Sequence, residues 1–366
     1  MTTDELPDSA WSMALLTLPG MGPARLNALL ELGSARAAWE AITSGAPIDV
    51  PGVNRDKVAA WRSTARRTSV EDHWRAAGEL GLWVAPLGSD SYPERLRDDI
   101  EAPHMLFGLG RSIGTGPTVG IVGTRNCTSY GRRCAFEFGN LLAEAGVSVV
   151  SGLALGIDAA AHQGALNASG GKGVAARPIG VVGSGLDVIY PKRNSTLWSQ
   201  VAEHGSLLSE TAPGVQPARW RFPARNRIIA GLSDAVIVIE SHEAGGSLST
   251  VEEAQARDIP VGAVPGPITS NASAGTNLLL ADGATPILGV EDIFALIGHH
   301  PPAVLDMGSD DQDRASVVLD ALGWNPILFD ELCQRLDASP GVIAVEVEQL
   351  IDAGLCSRDG PWIERS

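Results

Sequence analysis

Apolar residues follow two different rhythms along this chain. From Ser9 to about Arg67 they recur at helical spacing. Trp11, Ala14, Leu15 and Leu18 share one face, Pro19-Gly20-Met21-Gly22-Pro23 breaks the pattern, and Leu26, Leu29 and Leu30 resume it between Arg25 and Leu32. This predicts a helix-hairpin-helix unit, with a weaker second copy at Val50-Pro51-Gly52-Val53-Asn54. The hairpin amides of such a unit can hold a DNA phosphate. The same pattern also serves as a plain helical cap, and only Arg25 stands near the first turn. From Pro117 to about Ile297 the rhythm changes. Apolar runs at Val119–Val122, Val147–Val150, Ile179–Val182, Ala235–Ile239 and Val261–Val264 alternate with helical patterns, and Gly-rich turns often follow the runs. That predicts an α/β fold with a parallel sheet covered on both faces. Between the two regions, residues 79–116 read as a connector with one short strand at Gly81–Ala85 and turns at Tyr92-Pro93 and Ala102-Pro103. A Pro/Gly/Asp-rich linker is expected at 299–312. After it, Ala315–Leu322, Leu328–Leu336 and Val342–Ala353 read as helices, and Leu355–Arg365 as a hairpin turning at Asp359-Gly360. Three helices and a hairpin make a winged-helix pattern.

Ligands of a parallel sheet bind outside the carboxyl ends of its strands, so the loops there carry most of the chemistry. The first loop, Gly123-Thr124-Arg125-Asn126-Cys127-Thr128, leads to a helix expected to start near Ser129. Amides at a helix N-terminus favour an anion, and Arg125 can fork onto a phosphate. The spacing is not G-x-G-x-x-G, which argues against a dinucleotide cofactor. The second loop, Ser151-Gly152-Leu153-Ala154-Leu155-Gly156, precedes Asp158 at a capping position and His162 one helical turn later. Two such groups are too few for a metal site, and none is expected. The third contains Gly183-Ser184-Gly185 and then Lys192 and Arg193. The fourth segment, Arg219–Ala230, sets four arginines among Trp220 and Phe222. Guanidinium groups meet phosphates and flat rings stack on bases, so this composition suits single-stranded nucleic acid. The alternative is a core of Phe222, Ile228 and Ile229 with the arginines in solvent. The fifth loop offers a candidate phosphate site at Gly246, Ser247 and Thr250, or a capped helix start. An S-x-x-K string at Ser169 and Lys172 is too weak alone to mark a nucleophile. No Walker A string is present, which argues against ATP hydrolysis.

Composition changes this picture in two places. The chain has 366 residues, 44% hydrophobic and 19% charged, enough for a large core and about two to three domains. No apolar stretch approaches the roughly 18 residues of a membrane helix. The acidic start, MTTDELPDS, lacks the basic n-region of a signal peptide, so a cytoplasmic location and no membrane partner are expected. Cys127, Cys134, Cys333 and Cys356 form no CxxC pair and read as structural thiols. The net charge of −16 speaks against nucleic acid until its distribution is seen. Residues 306–366 hold 13 Asp/Glu against 4 Arg, whereas residues 119–230 hold 11 Lys/Arg against 6 Asp/Glu. A local cluster governs which ligand docks.

Taken in order, GTRNCTSYG, SGLALGIDAAAH, GSGLDVIYP, FPARNRIIAGLSD, GGSLST and the later VPGP and GTNLLLADGA resemble the DNA-processing protein A family (DprA, also called Smf) over nearly the whole chain. The resemblance implies an extended Rossmann-like domain at 79–298 and an N-terminal helical domain of SAM or helix-hairpin-helix type at 1–78. It also implies a winged-helix domain at 313–366. The implied activity is protection of incoming single-stranded DNA and loading of RecA in natural transformation, by a homodimer without cofactor or catalysis. The implied basic pocket is Arg125, Lys192 and Arg225-Asn226-Arg227, with Gly123, Ser151, Gly152, Gly183 and Ser184 giving backbone or hydroxyl contacts. Thr124 and Arg193 complete the candidate set. Dimer and RecA surfaces are implied near Leu278–Leu280 and Ile293–Leu296. The sequence departs from the family in two ways: Lys-Arg-Asn follows the Tyr-Pro loop where an acidic residue often precedes the Asn, and the tail is strongly acidic. That acidity points the winged helix toward a protein partner or a stabilising role rather than DNA.

An enzymatic reading competes. Thr250-Val251-Glu252-Glu253 resembles the end of the PGGxGTxxE motif of cytokinin-activating phosphoribohydrolases, in which Glu253 would assist cleavage of a nucleoside monophosphate. Ser247-Leu248-Ser249 stands where that motif is richer in glycine, and the leading proline is missing. A third reading, a nucleotide-sensing regulator, is weakened by the acidic tail.

Overall fold

The structure is a computed structural model that describes residues 6–31, 33–168, 176–300, 318–319, 321–322, 326–336, 338–352 and 355–365. Leu32, the S-x-x-K segment, the predicted linker from 301 onward and half of the predicted helix Ala315–Leu322 lie outside the described residues. Two units divide the chain, Met1–Pro301 and Pro302–Ser366.

Five helices open the first unit: α1 (Asp8–Leu16), α2 (Pro23–Leu30), α3 (Ala35–Ser44), α4 (Arg55–Ala65) and α5 (Val70–Glu79). Every residue from Ala10 to Leu16 is buried, as expected of a helix that the others wrap. Pro23 starts α2, where a missing N–H leaves no bond unmade. Ser34, Asn54 and Ser69 accept the N–H groups of Ala37, Lys57 and Asp72 and so cap α3, α4 and α5. The Trp61 indole N–H donates to the Pro19 carbonyl at 2.9 Å and ties α4 to the Pro-Gly turn.

Nine strands then form one sheet: β1 (Trp83–Pro86), β2 (Met105–Gly110), β3 (Thr118–Val122), β4 (Ser148–Ser151), β5 (Ile179–Val181), β6 (Ser206–Ser209), β7 (Ala235–Val238), β8 (Val261–Ala263) and β9 (Thr285–Pro286). Their order is β1-β2-β6-β5-β4-β3-β7-β8-β9. The seven strands from β6 to β9 in that order are parallel, while β1 and β2 run antiparallel at one edge. The five predicted runs all became strands. The connector is more than a connector, because it supplies the edge strand β1 and its neighbour β2. Strand β6, Ser-Leu-Leu-Ser, is too short and too polar at its ends to stand out in the sequence.

Helices α6 (Ser129–Glu144), α7 (Ile157–Ala168), α8 (Ser195–His204), α9 (Arg221–Gly231), α10 (Leu248–Gln255), α11 (Ala274–Ala281) and α12 (Val290–Leu296) link the strands. Side chains alternate across the pleat. Val119, Ile121 and Ile237 pack with Leu142 of α6, Ala161 of α7 and Ile293 of α12. Val122, Val150 and Val236 pack with Ile228 and Ile229 of α9 and Val251 of α10. The N-terminal helices share a core with the sheet, since Trp11, Leu15 and Met21 cluster with Phe107, Val182 and Leu207. The chain moves from β3 outward to β6, then returns beside β3 as β7 and continues the other way to β9. The loops after β3 and β7 therefore part at a topological switch point, where a crevice forms.

The second unit contains β10 (Ile327–Leu328), α13 (Phe329–Arg335), α14 (Pro340–Asp352), β11 (Cys356–Asp359) and β12 (Trp362–Arg365). The strands pair antiparallel in the order β10-β12-β11 around Leu332, Ile343, Val347 and Ile363. The predicted hairpin turns at Gly360 as expected. Strand β10 had no signal of its own in the sequence.

Candidate functional site

A cavity of about 840 Å³ opens at the switch point. Gly123–Asn126 after β3 form one wall, and His242 with Ala244–Ser247 after β7 form another. Ser249 and Thr250 of α10 and Phe222, Arg225 and Asn226 of α9 complete the lining. A cavity of about 80 Å³ adjoins it at Gly152, Gly183 and Ser184. Arg125, Ala154, Tyr190, Phe222 and Arg225 line both. Tyr190 and Phe222 form the partition, with ring centroids 5.4 Å apart and planes tilted by 31°. The exposed Arg125 guanidinium lies 5.5 Å from the Phe222 ring centroid, within cation–π range. A cation and two rings thus stand at the mouth of a concave site.

The loop that carries Arg125 is held by Glu240, just beyond β7. The Glu240 carbonyl accepts the Thr124 N–H at 2.8 Å. Its carboxylate accepts the Thr128 N–H at 2.8 Å and the Thr128 hydroxyl at 2.5 Å. A Cβ at Gly131 would sit 2.4 Å from that carboxylate, so only glycine lets it reach the start of α6. An internal anion occupies the helix terminus where an external one was expected. Arg125, rather than the α6 amides, is what this loop offers a ligand.

Below the mouth, Arg225 is 5% exposed. Its guanidinium donates to the Gly152 carbonyl at 2.8 Å and to the Val181 carbonyl. Asp158 accepts the N–H groups of Gly152 and Ala154 at 3.1 and 3.4 Å, so the Gly152 peptide is bracketed by opposite charges. A Cβ at Gly152 would lie 2.3 Å from Arg225 Nη1, so this position must be glycine. Burial lowers the Arg225 guanidinium to about 10, with Asp158 opposing the shift. Burial likewise pushes the Asp158 carboxyl up, opposed chiefly by Arg225. His162 donates from Nε2 to the Ile179 carbonyl at 3.2 Å, its Nδ1 has no partner among the described residues, and burial lowers it to about 4. It is a neutral structural histidine. Among the described residues, no group of three or more His, Cys, Asp or Glu could hold a metal.

The predicted residues are sorted by the fold. Gly123, Thr124, Arg125, Arg225, Asn226, Gly246, Ser247 and Thr250 surround the larger cavity, and Gly152, Gly183 and Ser184 the smaller. Asn226 donates to the Ser249 hydroxyl at 2.6 Å and ties α9 to α10. Ser151 faces inward and donates to the Ile121 carbonyl at 2.6 Å. Lys192 and Arg193 are exposed on a single 3-10 turn and line neither cavity. Arg227 also lines neither cavity. It pairs with Glu210 at 2.6 Å and with Glu101 at 3.9 Å. Glu253, which the enzymatic reading needs at the cavity, instead pairs with Arg257 at 2.6 Å, beside Asp99. Tyr190 and His242 were not singled out by the sequence. Their signals were a tyrosine before Pro191 and a histidine just past the end of β7. The His242 Nδ1–H donates to the Asn271 carbonyl at 3.0 Å.

With this geometry in hand, the chain can be set beside known proteins. The family described as DNA recombination-mediator protein A matches residues 83–298. The DNA processing protein DprA of Bacillus subtilis (strain 168) is 36% identical over 282 residues, which is 74% of this chain and 92% of that protein. The DNA processing protein DprA of Streptococcus pneumoniae is 42% identical over 207 residues, covering 56% of this chain and 71% of the relative. The X-ray structure of DprA from Streptococcus pneumoniae is similar with a TM-score of 0.64 at 32% identity, over 78% of this chain and 97% of that one. The structure of DNA processing protein A from Helicobacter pylori, described for its single-stranded DNA binding mode, gives 0.53 at 31% identity over 59% and 97%. The chain belongs to the DNA processing protein A family.

Proposed function

We propose that this chain binds single-stranded DNA in the switch-point cavity, protects incoming strands and hands them to RecA during natural transformation. It would do so as a homodimer in the cytoplasm and without breaking a bond. The observation that carries the reading is the arrangement at the cavity mouth: exposed Arg125 over Phe222, with Tyr190 alongside and Arg225 beneath. Arginine neutralises a phosphate while flat rings accept bases of any sequence. Arg225 is fixed by carbonyl groups rather than by a carboxylate, so its charge adds to the field in the cavity. Lys192 and Arg193 follow Pro191 of the smaller cavity and are exposed, so they would add cationic charge outside its lining. Family membership supports the same reading, because the Helicobacter pylori relative is described by its single-stranded DNA binding.

The test is fluorescence anisotropy with single- and double-stranded oligonucleotides across a salt series. The reading expects preference for single strands and an affinity that falls with salt at a slope of about −0.7 per phosphate neutralised. Absence of binding at low salt would overturn it. RecA transfer is then tested by filament formation on strands already coated with the competing single-strand binding protein.

A further inference from the structure

We propose that the N-terminal hairpins form a second phosphate station, which continues the path of a single DNA strand leaving the cavity. The inference rests on the reading of the cavity as a single-strand site. Arg25 stands in the first turn of α2, and Arg55 and Lys57 in the first turn of α4. The fold brings Arg25 and Lys57 together. A methyl placed on Gly20 would be 3.6 Å from Arg25 Nη1 and 3.7 Å from Lys57 Nζ. Trp61 holds the two segments in this relation through its bond to Pro19. None of Arg25, Arg55, Lys57, Arg62, Arg66 and Arg67 makes an ion pair within 4.0 Å among the described residues. Of these, Arg25 and Lys57 are the two that the fold brings to one point.

Two physical arguments make this an anion site. Like charges brought to one point repel unless something negative lies between them. Helix N-termini carry positive partial charge, so cations there are disfavoured and an arriving anion reverses the sign. Asp56 shares the first turn of α4 but pairs with neither cation. The site is also connected to the cavity. Arg219 lines the cavity, Trp220 follows it, and the half-exposed Trp220 ring comes within 3.3 Å of a Cβ placed at Gly22 in the hairpin. Arg221 stacks on the same ring at 4.4 Å. A strand passing Arg219 therefore meets an aromatic surface and then the Arg25–Lys57 pair. The ligand class is a phosphodiester backbone longer than the cavity alone can hold.

The test compares oligothymidylates of about 6 and about 30 nucleotides, and a duplex of the longer length, on the full chain. The variants are Lys57→Glu and the double variant Arg25→Ala/Lys57→Ala. Among the described residues Lys57 makes no side-chain hydrogen bond, so its variant reports on charge even if loss of the Arg25–Gly20 contact disturbs the hairpin. Both variants should keep the short-strand affinity. Long-strand affinity should fall about tenfold in the double variant, and its salt slope should drop by about 1.4. Unchanged long-strand affinity in both variants overturns the station. So does an equal loss with short and long strands, or a loss confined to duplex. Failure of the wild type to bind the short strand is different: it defeats the cavity reading, while a long-strand loss in Lys57→Glu would still support the hairpin.

Discussion

Arg225 and Arg227 flank Asn226 in α9 and meet opposite surroundings. Arg225 is held by the carbonyls of Gly152 and Val181 under the cavity floor. Arg227 is held by Glu210 and lies near Glu101, which also reaches Arg257 at 3.6 Å. Both arginines are buried. The two carbonyls take Nη1 of Arg225, its Nε has no partner among the described residues, and Asp158 across Gly152 offsets only part of its charge, whereas the carboxylate of Glu210 meets Arg227 directly. The cavity-facing side of α9 therefore keeps a cation that Asp158 offsets without contact, and the opposite side is an internal ion network that holds the helix in place. The contrast separates the cation proposed to act on a ligand from the cation that acts on the fold.

The largest effect should come from breaking the structural side. Arg227→Ala leaves the half-buried Glu210 without its ion-pair partner, and removing one member of a buried pair costs at most about 3 kcal/mol here. Urea denaturation should show a lower midpoint of that order, with single-strand affinity unchanged under conditions where the variant is folded. Burial already pushes the Glu210 carboxyl up, with Arg227 the chief opposing influence. Replacing both partners, as Arg227→Met/Glu210→Leu, should recover most of the stability. If Arg227→Ala were as stable as wild type but bound DNA poorly, the two sides of α9 would have been assigned the wrong way round.

The cavity side has an acid limit. His162 lies close enough to Arg225 for that cation to lower its proton affinity further. An unfolded chain protonates this histidine near its ordinary value of 6.5, but the folded chain does so only at about 4. Between those values the unfolded state binds more protons. Stability that is full above about pH 6.5 is therefore lost as pH falls toward 4, by up to about 3 kcal/mol. Asp158 and Glu210 are raised by burial and act in the opposite direction over part of that range. The difference between wild type and His162→Gln in melts from pH 7 to pH 4 isolates the histidine. Parallel pH profiles for the two would mean that His162 is not the neutral, desolvated group described.

These cases also show what the sequence could and could not disclose. Strands such as Val119–Val122 and Ala235–Ile239 were legible because buried parallel strands are runs of apolar residues. Strand β6 was not, because Ser206 and Ser209 bound a run of two leucines. The strand–Gly–helix loops were legible because glycine marks where backbone must come close to something. What comes close was hidden. At Gly131 it is Glu240, and at Gly152 it is Arg225, both remote in the chain. An Arg-Asn-Arg string likewise gives no sign that one arginine faces carbonyls and the other a carboxylate. Lys57 joins Arg25 through tertiary packing, including the bond of Trp61 to Pro19.

A charge reversal at the mouth sharpens the comparison from the ligand side. Arg125 is exposed, touches the Phe222 ring and makes no ion pair within 4.0 Å among the described residues. Arg125→Glu should leave the melting curve nearly unchanged and weaken single-strand binding about a hundredfold, the scale expected when a phosphate contact is lost and a repulsion is added. Anisotropy and thermal melts on the same preparation would settle it. A folded variant with wild-type affinity removes Arg125 from the site.

The smallest effect concerns charge at a distance. Residues 306–366 carry 13 acidic groups against 4 arginines, a larger imbalance than that of any site residue discussed above. If net charge governed binding, removing them would strengthen it strongly. The two arginines of α9 argue otherwise, since Arg227 is neutralised by a carboxylate in contact and not by the average composition around it. Exposed charges separated by more than about 8 Å are largely screened at physiological salt. A chain ending at His300, at the edge of the first unit, should therefore bind single strands within about threefold of the full chain at that salt. Lower salt should widen the gap modestly in favour of the shortened chain. A tenfold change in either direction at physiological salt would mean that the acidic unit touches the strand or the cavity, and the distinction drawn from α9 would no longer extend to the whole molecule.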